Sequence, residues 1–198
     1  MNKINYDAAL QDIIEENLRL NKRPKLLLHS CCAPCSSTCI ERLKDAFDLT
    51  VFYYNPNIDT EAEYLLRAKE QQRLCENLNV KTVVTDHLSE EFYAQVSGLE
   101  GEPEGGARCI KCFNLRLNKT AQFAKEHSFD FFATTLTLSP LKNSERINGI
   151  GKAVGEKIGV KYLPSDFKKR NGYLRSIELS KTYSLYRQNY CGCEFSKK

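Results

Sequence analysis

No apolar stretch in this 198-residue sequence approaches the roughly eighteen residues a membrane-spanning helix needs. An apolar signal core is missing as well: Met1 to Asn21 is acidic and helical in pattern. The expectation is a cytosolic chain. Internal repeats and low-complexity segments are absent, and the length suits one domain with a sizeable core. No glycine-rich loop follows the first apolar run, so that turn offers no ready phosphate cradle. The cysteines lack an even count: there are nine, which excludes a fully paired intramolecular set. In a reducing compartment so many thiols point to metal ligation or redox chemistry rather than a disulfide framework.

What is present is ordinary in bulk, with 41% hydrophobic and 27% charged residues. The net charge of +4 is unevenly placed. Lys161 to Lys198 holds nine Lys/Arg against three Asp/Glu, a local +6, and leaves −2 for the preceding 160 residues. A basic C-terminal quarter is what a polyanion-binding face needs, although scattered surface lysines give the same sum.

Apolar periodicity predicts helices over Tyr6–Leu20, from Ser36 or Ser37 to Phe47, and over Thr60–Leu78, Ile110–His127, Asn143–Ile158 and Ile177–Gln188. It predicts strands over Lys25–Ser30, Leu49–Tyr54, Val80–Thr85, Phe129–Thr135 and Val160–Leu163. The segment from Gly98 to Arg108 reads as a flexible glycine-rich loop. Gly149, Gly151 and Gly155 weaken the Asn143–Ile158 pattern by about 1 kcal/mol each relative to Ala, which suggests close packing there. The alternation argues an α/β fold: a single doubly wound parallel sheet of about five strands with a helical C-terminal segment. Such sheets bind ligands beyond the carboxyl ends of their strands. Cys31, Asp86, the Ser139 loop and Asp166 all follow strands and fall on that rim.

The thiols form three clusters: Cys31-Cys32-Ala33-Pro34-Cys35, Cys109-Ile110-Lys111-Cys112 and Cys191-Gly192-Cys193. Thiolates suit zinc and iron–sulfur clusters, and a two-residue gap lets two sulfurs reach one centre. Cys31 and Cys32 share a centre only if they occupy a turn, and a strand-to-helix junction supplies one. The helix N-terminus there lowers thiol pKa values. Cys191-Gly192-Cys193 reads as a redox pair or as ligands of an additional iron. Cys35 is open between a site thiol and packing behind the site, whereas Cys39 and Cys75 lie on apolar helix faces and read as core. His29 reads as a hydrogen-bonded neighbour of the site, and His87 and His127 as surface residues at element ends. Arg108, Arg116 and Arg187 flank the clusters, either holding an anion or pairing at the surface. Phe167-Lys168-Lys169-Arg170-Asn171-Gly172-Tyr173 mixes basic and aromatic groups as a nucleic-acid contact would.

Taken together, His29-Ser30-Cys31-Cys32-Ala33-Pro34-Cys35, Tyr54-Asn55-Pro56-Asn57, Arg108-Cys109-Ile110-Lys111-Cys112-Phe113, Asp166-Phe167-Lys168-Lys169 and Tyr186-Arg187-Gln188-Asn189-Tyr190-Cys191-Gly192-Cys193 resemble the epoxyqueuosine reductases of the QueH type. The resemblance runs from about Lys25 to Ser196. It divides the chain into an N-terminal helical extension, residues 1–24, and a reductase domain, residues 25–198. It implies a HUP/Rossmann-like fold and the reduction of epoxyqueuosine to queuosine at the wobble position of tRNA, the last step of queuosine biosynthesis. It implies a [4Fe-4S] cluster, with an additional iron as an open alternative, and no cobalamin. Carried over residue by residue, Cys31, Cys32, Cys109 and Cys112 are the cluster ligands, and Cys191 and Cys193 the redox-active pair. The implied partners are tRNA carrying epoxyqueuosine in the anticodon and an external electron donor, with no membrane. Asp166 and Tyr190 are candidate proton donors, and Lys168, Lys169, Arg170 and Arg187 candidate tRNA contacts. Two rival readings need no such resemblance. Cys32-Ala33-Pro34-Cys35 after a strand fits a thioredoxin-like thiol–disulfide oxidoreductase, and Cys32, Cys35, Cys109 and Cys112 fit a zinc-stabilised RNA-binding module. An ATP-using tRNA modifier of the same fold class ranks last, for want of the phosphate loop.

Overall fold

The computed structural model describes residues 4–197. Five strands form one parallel sheet in the order β3-β2-β1-β4-β5: β1 Lys25–His29, β2 Asp48–Tyr53, β3 Lys81–Val84, β4 Phe131–Thr134 and β5 Lys161–Tyr162. Among the described residues seven α-helices accompany them: α1 Tyr6–Arg19, α2 Ala33–Leu43, α3 Glu61–Asn77, α4 Ser89–Val96, α5 Ala107–Glu126, α6 Ser144–Ile158 and α7 Gly172–Thr182. The expected α/β class and strand number are observed. None of the described helices is long and apolar enough to cross a membrane.

Central β1 pairs Leu26 with Leu49 of β2 on one side and with Phe131 of β4 on the other. Its side chains alternate between faces, as strand geometry requires. Leu26 and Leu28 enter a core shared with Leu10, Ile40, Leu43, Leu74 and Leu163, whereas Leu27 enters the opposite core with Phe113, Leu117, Phe132 and Ile147. Helix α1 contributes Leu10 and Ile14 to the first of these cores and ties Asp7 to Arg42 and Arg170, both at 2.9 Å. The chain leaves β1 toward β2 and β3, then crosses back to β4 and β5. The crevice beyond β1 and β4 is therefore the topological switch point of the sheet.

Three boundaries differ from expectation in ways that bear on the site. Helix α2 starts at Ala33, not near Ser36: Pro34 occupies its first turn, where a missing N–H costs nothing, and Cys32 is the extended residue before it. Ser36 and Ser37 instead donate back to the carbonyls of Ala33 and Pro34 at 3.1 and 2.9 Å. Helix α7 runs five residues earlier than its apolar pattern. A Cβ at Gly172 would lie 1.9 Å from the Phe167 carbonyl oxygen, so only glycine admits the turn that launches the helix. Helix α4 was not anticipated at all. Its Phe92 and Val96, one turn apart, pack over Cys112 and Cys193. Gly151 and Gly155 have the close neighbours their pattern suggested, the Tyr162 ring and the Val160 carbonyl, whereas Gly149 has none.

Candidate metal and redox centre

Strand β1 ends at His29, and after only Ser30, Cys31 and Cys32 the chain enters α2. This tight junction brings the sulfurs of Cys31, Cys32 and Cys35 within 4.8 Å of one another. Cys31 Sγ lies 3.8 Å from Cys32 Sγ. The turn is held from β4 and its following 3-10 turn: the Cys31 N–H donates to Thr135 Oγ1 at 3.2 Å, and the Thr135 hydroxyl donates to Cys31 Sγ at 3.4 Å. From α3, Gln71 Oε1 accepts from Ser30 at 2.6 Å and from Ser36 at 2.9 Å, fixing both sides of the turn.

The three sulfurs are electrostatically unequal. Hydrogen bonds from Cys32 and Cys35 hold the Cys31 thiol well below its ordinary pKa despite burial, with Arg116 and Lys142 adding to the effect. The same hydrogen bond to Cys31 pushes Cys32 up to about 12, and bonds to Cys31 and Cys32 with burial push Cys35 well up. Cys31 is therefore the sulfur of the trio most inclined to ionise.

A second group of sulfurs stands on the far wall. Cys109 and Cys112 occupy the first two turns of α5, and with Cys191 and Cys193 they line one cavity that also touches Asn57, Phe92, Arg108 and Phe113. Its volume is about 20 Å³, room for one water-sized group. Burial pushes the Cys112 thiol up to about 12. The Gly105 N–H donates to Cys109 Sγ at 3.2 Å, so the glycine-rich loop expected before α5 serves as a wall of the site. Arg108 anchors that loop through the carbonyls of Leu99, Glu100 and Glu102 and lies 4.8 Å from the Phe195 ring centre.

The buried side chain of Arg116, one turn after Cys112, spans the two walls. It donates through Nε to His29 Nε2 at 3.2 Å, through Nη1 to Cys112 Sγ at 3.9 Å and through Nη2 to Asn55 Oδ1. Asn55 in turn donates to the Ser30 carbonyl at 2.9 Å. His29, buried beside this guanidinium, has its pKa lowered to about 3 and is neutral.

The segment carrying Cys191 and Cys193 is strapped down by residues that sequence patterns did not single out. The Asp59 N–H donates to the Gly192 carbonyl at 3.0 Å, and Asp59 accepts from the Tyr190 hydroxyl at 3.0 Å and from Lys197. Arg67 pairs with Glu63 at 2.7 Å, reaches the Cys191 carbonyl at 3.5 Å and lies under the Tyr190 ring at 4.9 Å. A buried arginine at a polar position of α3 was the available signal. Burial works against the charge of Lys142, beside the rim, but the neighbouring sulfurs of Cys191, Cys31 and Cys35 outweigh it and raise its pKa.

The remaining candidates divide clearly. Cys39 and Cys75 are core residues, 0% and 1% exposed. His87 is half-buried rather than a surface group, bonded to the Ile58 carbonyl at 2.7 Å and stacked on Tyr64. His127 is exposed. Asp166 is engaged by Lys168 at 2.9 Å and Ser144 at 3.2 Å, and Tyr190 by Asp59. Lys169 and Arg170 are exposed, Arg170 pairing with Asp7. Arg187 bonds Ser180 Oγ at 3.0 Å.

Residues 26–198 match the family model described as Epoxyqueuosine reductase QueH. A relative of that name from Staphylococcus epidermidis is 47% identical over 202 residues, covering 98% of this chain and 85% of the relative. Another from Streptococcus pyogenes serotype M1 is 48% identical over 202 residues, covering 99% and 79%. Among solved structures, the U34-tRNA thiolase NcsA from Methanococcus maripaludis with its [4Fe-4S] cluster superposes with a TM-score of 0.59 at 12% identity, over 96% of this chain and 69% of that one. That likeness is one of fold.

Proposed function

This chain belongs to the epoxyqueuosine reductase QueH family, and on that premise we infer that it reduces epoxyqueuosine to queuosine at the wobble position of tRNA, the closing step of queuosine biosynthesis. It is an oxidoreductase. The observation that carries the site assignment is the convergence of three sulfurs within 4.8 Å at the switch point of the sheet.

The residues fit an iron–sulfur group. The donors are soft sulfurs, one with its pKa held low, and Arg116 and Lys142 supply positive charge beside an anionic centre. Cys31 and Cys32 would hold a [4Fe-4S] cluster from the β1 turn and Cys109 and Cys112 from α5, with Cys35 the third sulfur of the turn. Cys109 and Cys112 share their cavity with Cys191 and Cys193, so the redox pair would lie beside a cluster held there. An additional iron is the alternative occupant. A bound cluster would supply one-electron transfer and a Lewis-acidic iron.

The chain's own groups account for the rest. Lys168, Lys169, Arg170 and Arg187 lie in the basic C-terminal quarter, which suits the tRNA backbone, and the modified base turns out of the anticodon loop into the crevice beyond β1 and β4. Reduction breaks both carbon–oxygen bonds of the epoxide, forms the alkene and releases water, which takes two electrons and two protons. The thiols of Cys191 and Cys193 supply both on closing to a disulfide, and an external electron donor then reopens it. Tyr190 and Asp166 hold other partners, which favours the thiols as the proton source. The reading is that of a cytoplasmic, tRNA-directed enzyme.

The test is anaerobic reconstitution followed by turnover of tRNA containing epoxyqueuosine. Loss of turnover in a Cys31→Ala, Cys32→Ala double variant is expected, and full turnover would sink the assignment. A thioredoxin-like enzyme would be colourless, whereas a cluster protein handled without oxygen is brown.

A further inference from the structure

Three other arginines of the helices around the sheet have evident partners. Arg67 answers to Glu63, Arg42 to Asp7, and Arg108 to a cage of carbonyls. Arg116 is 1% exposed, yet among the described residues no carboxylate lies within ion-pairing distance of it. Its acceptors are a neutral imidazole, an amide oxygen and a sulfur. A buried guanidinium without a carboxylate partner persists where another anion belongs beside it, and the nearby sulfurs are the groups placed to supply one.

Its hydrogen bonds are aimed with purpose. His29 Nε2 faces both Arg116 Nε and the Tyr54 carbonyl at 3.2 Å, and its Nδ1 lies 2.9 Å from Thr134 Oγ1, so the ring is fixed from both edges. The second arm runs through Asn55 to the Ser30 carbonyl. Arg116 therefore grips both residues that precede Cys31, while its third arm touches Cys112 on the facing wall. Burial works against its charge, and the sulfurs of Cys112, Cys31 and Cys191 more than restore it.

We infer that Arg116 is the built-in countercharge of the sulfur centre, a positioning residue that holds the Cys31 turn in register with Cys112 and raises the reduction potential of the group bound between them. The inference rests on the iron–sulfur reading given above. Each reduction adds a negative charge to the centre, and a fixed cation in a low-dielectric interior favours that state.

The test is a redox titration of the anaerobically loaded full chain, followed by electron paramagnetic resonance. Arg116→Gln should lower the midpoint potential enough to reduce the reduced-to-oxidised ratio at least tenfold at fixed ambient potential, about 59 mV for one electron. Arg116→Lys keeps the charge and loses the fork, so it should retain the wild-type potential with less iron bound. Asn55→Asp neutralises the guanidinium in place and should shift the potential in the same direction as Arg116→Gln, even if the latter fails to fold. Wild-type potentials in both Arg116→Gln and Asn55→Asp would overturn the inference, as would Arg116→Lys shifting as far as Arg116→Gln. A wild-type chain that takes up neither iron nor sulfide instead defeats the iron–sulfur reading itself, and this inference with it.

Discussion

Replacing Gly192 with alanine probes how the redox pair is held. Gly192 has φ +124°, a conformation that costs an L-residue about 1–2 kcal/mol. Its new Cβ would sit 3.2 Å from each of Arg67 Nη1, Asn57 Nδ2 and Ile58 Cγ1. Arg67 has little room to yield, because Glu63 and the Tyr190 ring fix it. Overpacking of this kind adds about 1–3 kcal/mol. The total, about 2–5 kcal/mol, rivals what the strap's few hydrogen bonds contribute at about 1 kcal/mol each. The strap should therefore lift while the sheet stays folded. Anaerobic alkylation read by mass spectrometry should show Cys191 and Cys193 modified at least tenfold faster than in the wild type, with turnover of epoxyqueuosine-containing tRNA falling in parallel. Thermal unfolding should move little. Alkylation and turnover at wild-type rates would refute the reasoning that Gly192 seats this pair.

On α6, Gly151→Ala places a Cβ 2.3 Å from the Tyr162 ring and should destabilise by about 1–3 kcal/mol, whereas Gly149→Ala meets nothing within 4 Å and should stabilise by about 0.5–1 kcal/mol; thermal melts of the pair check both signs. Burial pushes the Asp7 carboxyl up, but Arg42 and Arg170 outweigh it and hold it below its ordinary value of 3.8. A depressed folded pKa stabilises above the unfolded value and is lost as pH falls through the folded one, so Asp7→Asn should cost about 1 kcal/mol at pH 7 and nothing once the wild-type carboxyl is protonated, as read by urea unfolding at several pH values. Cys35→Ala should weaken iron binding about 10–100-fold, whether Cys35 is a ligand or a donor to Cys31, while Cys39→Ala should leave it unchanged in anaerobic metal analysis.

The parts of this molecule governed by local rules were legible beforehand. Leu26, Leu27 and Leu28 announce a strand buried on both faces, and Asn143 and Thr60 cap their helices where the pattern starts. The three cysteine clusters were visible as clusters. What stayed hidden depends on contacts remote in sequence. Arg116, open in sequence between holding an anion and pairing at the surface, is decided only when His29 and Asn55, 87 and 61 residues away, are found against it. Asp59 and Arg67 acquire a role only because the chain returns more than a hundred residues later to lay Tyr190 and Cys191 on them. Helix α4 is a single short amphipathic turn pair, below the length at which periodicity decides. Cys35 was undecided because its role turns on where α2 begins, and Pro34 moved that start three residues earlier than Ser36 suggested.

Both sulfur-bearing walls are taken to hold one inorganic centre, and metal analysis of oxygen-free protein bears on that most directly. Iron and acid-labile sulfide should each approach about four per wild-type chain, and both Cys31→Ala, Cys32→Ala and Cys109→Ala, Cys112→Ala should lose them. Full iron and sulfide in the Cys109→Ala, Cys112→Ala chain, or zinc in place of iron in the wild type, would contradict a centre shared between the β1 turn and α5.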